Sequence, residues 1–238
     1  WQPGTAYGYH AHTFGWLVGE LVRRVDGRGL GQFFAEEIAG PAGADFWIGL
    51  PVTEEHRVAP VSSEEQMMPV SSTDSAFDLT AFIGPHLMTA SSLNGILPDL
   101  EVAARDRRYR AAELGAAGGV ASGRGLSRLY AWLLHVFTPE TIADILRSET
   151  DGPDQVLSGP AMTIEQQIGR GFMVPSPDRS PAGVPTFGHS GAGGSYAFAD
   201  PARQVAFGYA MTLMRLGTEP ANDPRVLSLV RAVYDSLD

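Results

Sequence analysis

The chain has 238 residues, 44% of them hydrophobic and 18% charged, a composition typical of a globular protein with a sizeable core. Its net charge of −10 argues against nucleic acid and anionic membrane as partners, and no apolar run is long enough to predict a membrane span. The chain has no cysteine and all 17 basic residues are arginine, which excludes disulfides, cysteine nucleophiles, Cys-type zinc sites and lysine bases from these residues.

A long amphipathic helix is predicted near the start of the chain. Apolar residues recur at spacings of three and four from Thr13 to Val25, with charged residues on the opposite face. Gly27 can adopt the left-handed conformation that ends many helices. Three aromatic residues nearby are predicted to lie in the core: Phe14, Trp16 and Trp47.

Shorter elements are predicted up to about residue 157. Helices are expected near residues 33–38, 102–112, 126–134 and from 139 onward, with a short strand at 46–50. The second helix is expected to stop at Gly40-Pro41. The stretch 51–98 is too long for a bare loop in a compact domain, so short helices are predicted there as well.

Beyond about Ser158 the pattern favours strands. They are predicted at 171–174, 195–199 and 204–213, before a closing helix at about 222–237. Helices and strands that are segregated in this way indicate an α+β fold rather than a parallel alternating one. We therefore predict one domain over 1–238, with a mostly helical part, 1–157, and a part holding the sheet hairpin and C-terminal helix, 158–238.

The stretch from Thr186 to Pro201 is predicted to form one wall of an active site. It holds four glycines, a histidine and two serines between Gly188 and Tyr196, and glycine allows the backbone to approach a ligand closely. A nucleophile elbow at Ser190 is an alternative, but no histidine follows His189 to serve as its base. A phosphate loop would need a lysine. An ordinary glycine-rich turn with a buried serine stays open.

Two motifs together resemble those of the serine β-lactamase and penicillin-binding-protein superfamily, in particular the family VIII carboxylesterases. Pro3-Gly4-Thr5 followed by Tyr9, and then Gly15-Trp16-Leu17, resemble the tyrosine motif of the class C branch. His189-Ser190-Gly191 resembles the third motif, Lys-Thr-Gly in β-lactamases, in the histidine form frequent among esterases. The resemblance implies a β-lactamase-like α+β fold, an antiparallel sheet flanked by helices plus a mostly helical subdomain, without its N-terminal part.

The sequence departs from this pattern at two places. Tyr9-His10-Ala11 stands where class C β-lactamases have Tyr-x-Asn. The first motif, Ser-x-x-Lys, cannot occur in a chain without lysine. Because Trp1 falls in the middle of the pattern, we expect a preceding segment of the polypeptide, or a second chain, to carry this motif. The alternative is a non-catalytic relative that binds ligands or acts as a scaffold.

The resemblance implies a serine hydrolase that cleaves short-chain carboxylic esters through an acyl-enzyme, and these 238 residues alone are expected to be inactive. Tyr9 and the backbone N–H of Ala192 are the implied catalytic groups, the first for proton transfer and the second in the oxyanion hole. The implied substrate-binding residues are His12, His189, Ser190, Gly191 and Gly193. β-Lactamase, amide hydrolase and acyltransferase activities are alternatives on the same fold, less favoured because Lys-Thr-Gly and the asparagine are absent.

No metal or cofactor is predicted. His10 and His12 are two residues apart and share a face only on a strand, and no third ligand follows at a suitable spacing. The other histidines, His56, His86 and His135, are isolated and are expected to be structural. The expected partner is a small-molecule ester, not nucleic acid or a membrane, and the expected location is the cytoplasm.

Overall fold

The computed structural model describes residues 1–63, 100–160, 162–215 and 223–237. Its helices are α1 (Thr13–Asp26), α2 (Leu30–Phe34), α3 (Leu100–Arg105), α4 (Arg107–Ala111), α5 (Gly123–Val136), α6 (Pro139–Leu146) and α7 (Pro224–Asp235). Its strands are β1 (Phe46–Ile48), β2 (Ser62–Ser63), β3 (Gly119–Ala121), β4 (Phe187–Ser190), β5 (Tyr196–Asp200), β6 (Val205–Tyr209) and β7 (Leu213–Met214). Most of the predicted short helices in 51–98, and His86, lie outside the described residues; Val52–Arg57 forms a 3-10 helix.

Capping residues fix the ends of several helices where the sequence indicates them. Gly27 ends α1 in the left-handed conformation, with φ of 92°, and its N–H donates to the Arg23 carbonyl. The side chains of Ser122 and Thr138 accept backbone N–H groups at the starts of α5 and α6. Asp223 does the same at α7. The predicted bounds of α1 are therefore confirmed, and the helices predicted near 126–134, from 139 and near the C-terminus are present, whereas the predicted helix at 102–112 is divided into α3 and α4 at Asp106.

The main sheet is antiparallel, in the order β4-β5-β6, and it is covered on both faces. On one face Ala197 and Ala199 pack in a cluster with Tyr130 of α5. On the other, Phe198 packs in a cluster with Val230 of α7. This alternation buries β5 along its whole length. Because α5 comes from the predicted helical part and packs on this sheet, the two parts of the chain share a core; a boundary at 157/158 stays a prediction.

Three local predictions differ from the structure, and in the two that concern strands a distant strand partner decides the outcome. The second helix does not stop at Gly40-Pro41: a π-helical turn, Ala35–Ala39, leads into a last turn, Gly40–Ala42, which Gly43 ends with φ of 59°. Gly119 starts β3, a strand that was not predicted from the sequence, and β3 pairs antiparallel with β1. Residues 204–213 do not form one strand, since β7 leaves β6 and pairs in parallel with β2.

The helix α1 presents much of its apolar surface to solvent. Phe14 and Trp16 are 56% and 42% exposed, so the prediction that they lie in the core was wrong. Four further apolar side chains of this helix are exposed: Leu17, Val18, Leu21 and Val25. Trp47, by contrast, is half-buried, with the Arg57 guanidinium 5.2 Å from the centroid of its ring. Among the described helices, none has both the length and the hydropathy needed to cross a bilayer.

Candidate active site

Tyr9 lies in the N-terminal segment that precedes α1, and Tyr9 is partly buried there. Its backbone N–H donates to Oδ1 of Asp154, at 3.2 Å. Its hydroxyl makes no hydrogen bond to any residue of the described ranges. Burial, and next the negative charge of Asp154, raise the pKa of the Tyr9 phenol above its ordinary value. In these surroundings the Tyr9 phenol keeps its proton to higher pH, and its hydroxyl has no partner among the described residues.

The predicted wall, Thr186 to Pro201, contains β4, β5 and a five-residue glycine-rich loop between them, residues 191–195. The loop is closed by two hydrogen bonds, from the Gly191 N–H to the Ser195 carbonyl at 2.8 Å and from the Gly194 N–H to the Gly191 carbonyl at 3.1 Å. Ala192, at the outside of the loop, is exposed, and in the described part of the chain nothing accepts its N–H. A free, exposed backbone N–H in a fixed loop is the kind of group that an oxyanion hole requires.

The loop is supported from behind by side chains that sequence reasoning missed. Gly194 has φ of 114°, and a Cβ there would come within 2.8 Å of Nη2 of Arg225 and 3.1 Å of Oδ2 of Asp223. Arg225 and the buried Asp223 form an ion pair, in which Arg225 Nε lies 3.0 Å from Asp223 Oδ1. The Arg215 N–H donates to the Gly193 carbonyl at 2.9 Å. The available sequence signal was Asp223-Pro224, which is typical of a helix start but does not indicate what the helix start contacts.

His189 and Ser190 end β4, directly before the loop. The imidazole Nδ1 of His189 lies 2.5 Å from the Ser190 carbonyl oxygen. Desolvation by the surrounding protein lowers the pKa of His189 below its ordinary value. The Ser190 hydroxyl donates weakly to the Met173 sulfur, at 3.7 Å, rather than to a base. This contact argues further against Ser190 as an elbow nucleophile.

The two histidines after Tyr9 lie in different environments. His12 is 6% exposed and stacks against Trp16, with ring centroids 6.5 Å apart. His10 is exposed, with its Nδ1 2.6 Å from the Gly8 carbonyl oxygen. Across the described ranges no group of three His, Cys, Asp or Glu side chains is arranged to hold a metal ion. The role of His12 in substrate binding stays a prediction.

The structure thus describes two components of the predicted site. Tyr9 is fixed by contact with Asp154, and Ala192, His189 and Ser190 are fixed by the β4-β5 hairpin. Gly191 and Gly193 are needed for the shape of the loop, since a Cβ at Gly191 would meet the Ser195 hydroxyl and Gly193 has φ of 92°. That these components meet around one substrate carbonyl stays a prediction.

A comparison with known protein families gives the family of the chain. The family model described as Beta-lactamase matches residues 1–231. The chain belongs to the β-lactamase family. This membership confirms the resemblance seen in the two sequence motifs and the β-lactamase-like fold of helices and antiparallel sheets.

Individual relatives of this β-lactamase family member include esterases. The chain is 30% identical over 221 residues to the esterase/beta-lactamase LipL of Mycobacterium tuberculosis, covering 86% of this chain and 48% of LipL. The structure of EstA from Arthrobacter nitroguajacolicus Rue61a is 32% identical with a TM-score of 0.79, covering all of this chain and 62% of EstA. A family VIII carboxylesterase structure is 33% identical with a TM-score of 0.79, covering 99% of this chain and 60% of that one. The chain therefore spans about half to three fifths of the length of these relatives.

Proposed function

We propose that this chain forms part of a serine hydrolase that cleaves short-chain carboxylic esters through an acyl-enzyme. The observation that carries the proposal is the free, exposed N–H of Ala192, which follows His189-Ser190-Gly191. It lies in a loop whose two ends are fixed by the pairing of β4 with β5. Relatives named as esterases support the ester class. The nucleophilic serine and a lysine belong, in this proposal, to a Ser-x-x-Lys segment N-terminal to Trp1.

The proposed reaction begins when the serine Oγ attacks the ester carbonyl carbon. The proton of the serine goes to the Tyr9 phenolate, and the negative charge that develops on the carbonyl oxygen is stabilised by the Ala192 N–H. The tetrahedral intermediate then loses its C–O bond to the alcohol, which leaves with the proton from Tyr9. Water repeats the sequence on the acyl-enzyme and releases the carboxylic acid.

The surroundings of Tyr9 indicate that this reaction needs a nearby cation. An ordinary tyrosine has a pKa of about 10, and here burial and Asp154 raise the pKa further. A phenol in this state is not a base near neutral pH. An ammonium group beside it would favour the phenolate, and since this chain has no lysine, the proposed segment must supply that group.

The choice of ester over lactam rests on two substitutions. Where class C β-lactamases have Tyr-x-Asn, the third residue here is Ala11, which cannot hydrogen-bond a lactam side chain. His189 occupies the lysine position of Lys-Thr-Gly, and its pKa is lowered, so it carries little positive charge at neutral pH to attract a lactam carboxylate.

The proposal is tested on the full-length polypeptide with p-nitrophenyl acetate and butyrate. We expect hydrolysis well above the buffer rate, a loss of at least about 10²-fold in kcat for Tyr9→Phe, and a single serine labelled by a fluorophosphonate. A folded protein with no labelled serine and no hydrolysis would instead support the non-catalytic alternative. The 238-residue chain is the control, since we propose that it is inactive alone.

A further inference from the structure

Residues 152–160 and 162–166 contact the N-terminal stretch that contains Tyr9. The Tyr7 hydroxyl donates to the Gly152 carbonyl at 2.8 Å and accepts from the Gln166 N–H at 3.0 Å. The Gln155 N–H donates to the Tyr7 carbonyl at 2.9 Å. The backbone on either side of Gly8 is therefore fixed by residues about 145 positions later in the chain.

Asp154 is the central side chain of this contact. It is 1% exposed, and its Oδ1 accepts three backbone N–H groups, from Tyr9 at 3.2 Å, Val156 at 2.8 Å and Leu157 at 2.9 Å. Its own N–H donates to the Ile164 carbonyl at 2.8 Å. Three donors on one oxygen suit a carboxylate anion.

The second oxygen of Asp154 has no evident structural role. Oδ2 is buried and has no hydrogen-bond partner among the described residues. A buried polar atom without a partner is costly, and a neutral asparagine would give the same three N–H groups an acceptor. The carboxylate therefore contributes more than an acceptor for the turn. It places a buried negative charge at the backbone N–H of Tyr9.

We propose that Asp154 is a positioning residue for Tyr9, whose Oδ1 fixes the Tyr9 backbone and whose charge makes proton transfer by Tyr9 depend on a nearby cation. The inference rests on the proposed function, in which Tyr9 exchanges a proton with the serine. It also explains why a buried carboxylate is placed beside a group that has to become an anion: Tyr9 stays a phenol until the cation-bearing segment is in place.

Other charged groups near Tyr9 are placed differently. Asp151, directly before Gly152, and Glu165 are both exposed. The electrostatic effect of an exposed charge on Tyr9 is weakened by water. His10 is exposed, with its Nδ1 at the Gly8 carbonyl. His12 is buried but stacks on Trp16. Of the described groups, Asp154 is the one whose charge acts on the Tyr9 phenol.

The test uses Asp154→Asn and Asp154→Ala in the full-length polypeptide. Asparagine retains an acceptor for the three N–H groups and removes the charge, so the limb of the pH–kcat/KM profile that belongs to Tyr9 should move to lower pH, by about 0.5–1 unit. Alanine also removes the acceptor, so kcat should fall about 10-fold or more below that of Asp154→Asn, with less change in KM.

Asp200→Asn is the matched control. Asp200 is also fully buried, and its Oδ1 accepts the N–H groups of Ala202 and Arg203, but its Oδ2 accepts from the Tyr234 hydroxyl and it makes no hydrogen bond to Tyr9. Its substitution should lower the thermal midpoint without moving the pH profile. An equal movement in both asparagine variants, or in neither, would overturn the proposal, as would Asp154→Ala with the kcat of Asp154→Asn.

A second measurement separates this inference from the proposed function. The Tyr9 phenol is titrated by NMR with ¹³C at the tyrosine ζ carbon, and its signal is assigned by its loss in Tyr9→Phe. If the full-length protein does not hydrolyse esters but Asp154→Asn still lowers the Tyr9 pKa, the proposed function fails and the role of Asp154 stands. If esters are hydrolysed and the Tyr9 pKa is unchanged, the role of Asp154 fails alone.

Discussion

The Ala192 N–H is a single backbone donor, so it can be removed by one substitution. Ala192→Pro in the full-length polypeptide should lower kcat by about 10²–10³-fold, because the developing oxyanion loses a hydrogen bond. Ala192 does not have a positive φ, which proline could not adopt, so its backbone conformation does not exclude this substitution. Ala192→Ser retains the N–H and serves as the control. If the two variants, both folded by circular dichroism, differ in kcat by less than about 10-fold, Ala192 is not an oxyanion donor.

His189 should titrate below an ordinary histidine. Surrounding protein disfavours the charged imidazolium, so its pKa, followed by NMR of the ring Cε1 proton, should lie below about 6.5. The unfolded chain in concentrated urea is the reference. Because the unfolded state takes up this proton at higher pH than the native state, the contribution of His189 to stability should fall as the pH drops through the unfolded and then the native pKa. A native pKa at or above the urea value would contradict this.

At the scale of elements, the loop between β4 and β5 depends on Gly194, which combines a positive φ with a close approach to Arg225 and Asp223. Gly194→Ala should lower the free energy of unfolding by about 2–3 kcal/mol, through the strain of φ at 114° and the displacement of Arg225. Gly171→Ala is the control, with φ of 87° and no atom within 4 Å of the added Cβ, and should cost only about 1 kcal/mol. Urea unfolding measures the free energy of unfolding of both variants. Equal decreases would mean that contact with Arg225 does not restrict the conformation at Gly194.

Local signals predicted the helices well and their surroundings poorly. The period of apolar residues and Gly27 define α1, because both act within the helix itself. The same period does not indicate what covers the helix, and so the prediction that Phe14 and Trp16 are buried was wrong. The strand at Gly119 was missed for the related reason that its partner, β1, lies about 70 residues earlier.

The predicted site shows the same division between local and distant information. The glycine-rich loop could be recognised from its own residues, since glycine at Gly193 and Gly194 is required by positive φ. The residues that fix Tyr9 and the loop in place could not be recognised from the sequence. Asp154 contacts Tyr9 across 145 positions, and Arg225 supports a loop about 30 residues away. Both sit in short stretches that, read alone, indicate only a turn and a helix start.

At the scale of the whole molecule, the exposed side of α1 is a large apolar surface. Leu17, Leu21 and Val25 are 72%, 61% and 80% exposed, and a contiguous patch of this kind usually marks a contact surface. The helix begins four residues after Tyr9, and the relatives are considerably longer than this chain. In the proposed full-length enzyme, a Ser-x-x-Lys segment that reaches Tyr9 would lie next to this surface, and we expect that segment to cover it.

Leu21→Gln, measured in both chain lengths, tests this expectation. In the 238-residue chain, substitution at a 61% exposed site should change the free energy of unfolding by less than about 0.5 kcal/mol. In the full-length polypeptide it should cost about 2 kcal/mol or more, because a buried leucine would be replaced by an amide. Leu229→Gln, on the exposed side of α7, is the control and should be nearly neutral in both. Equal effects of Leu21→Gln in the two chains would mean that the segment carrying the serine does not cover the exposed side of α1.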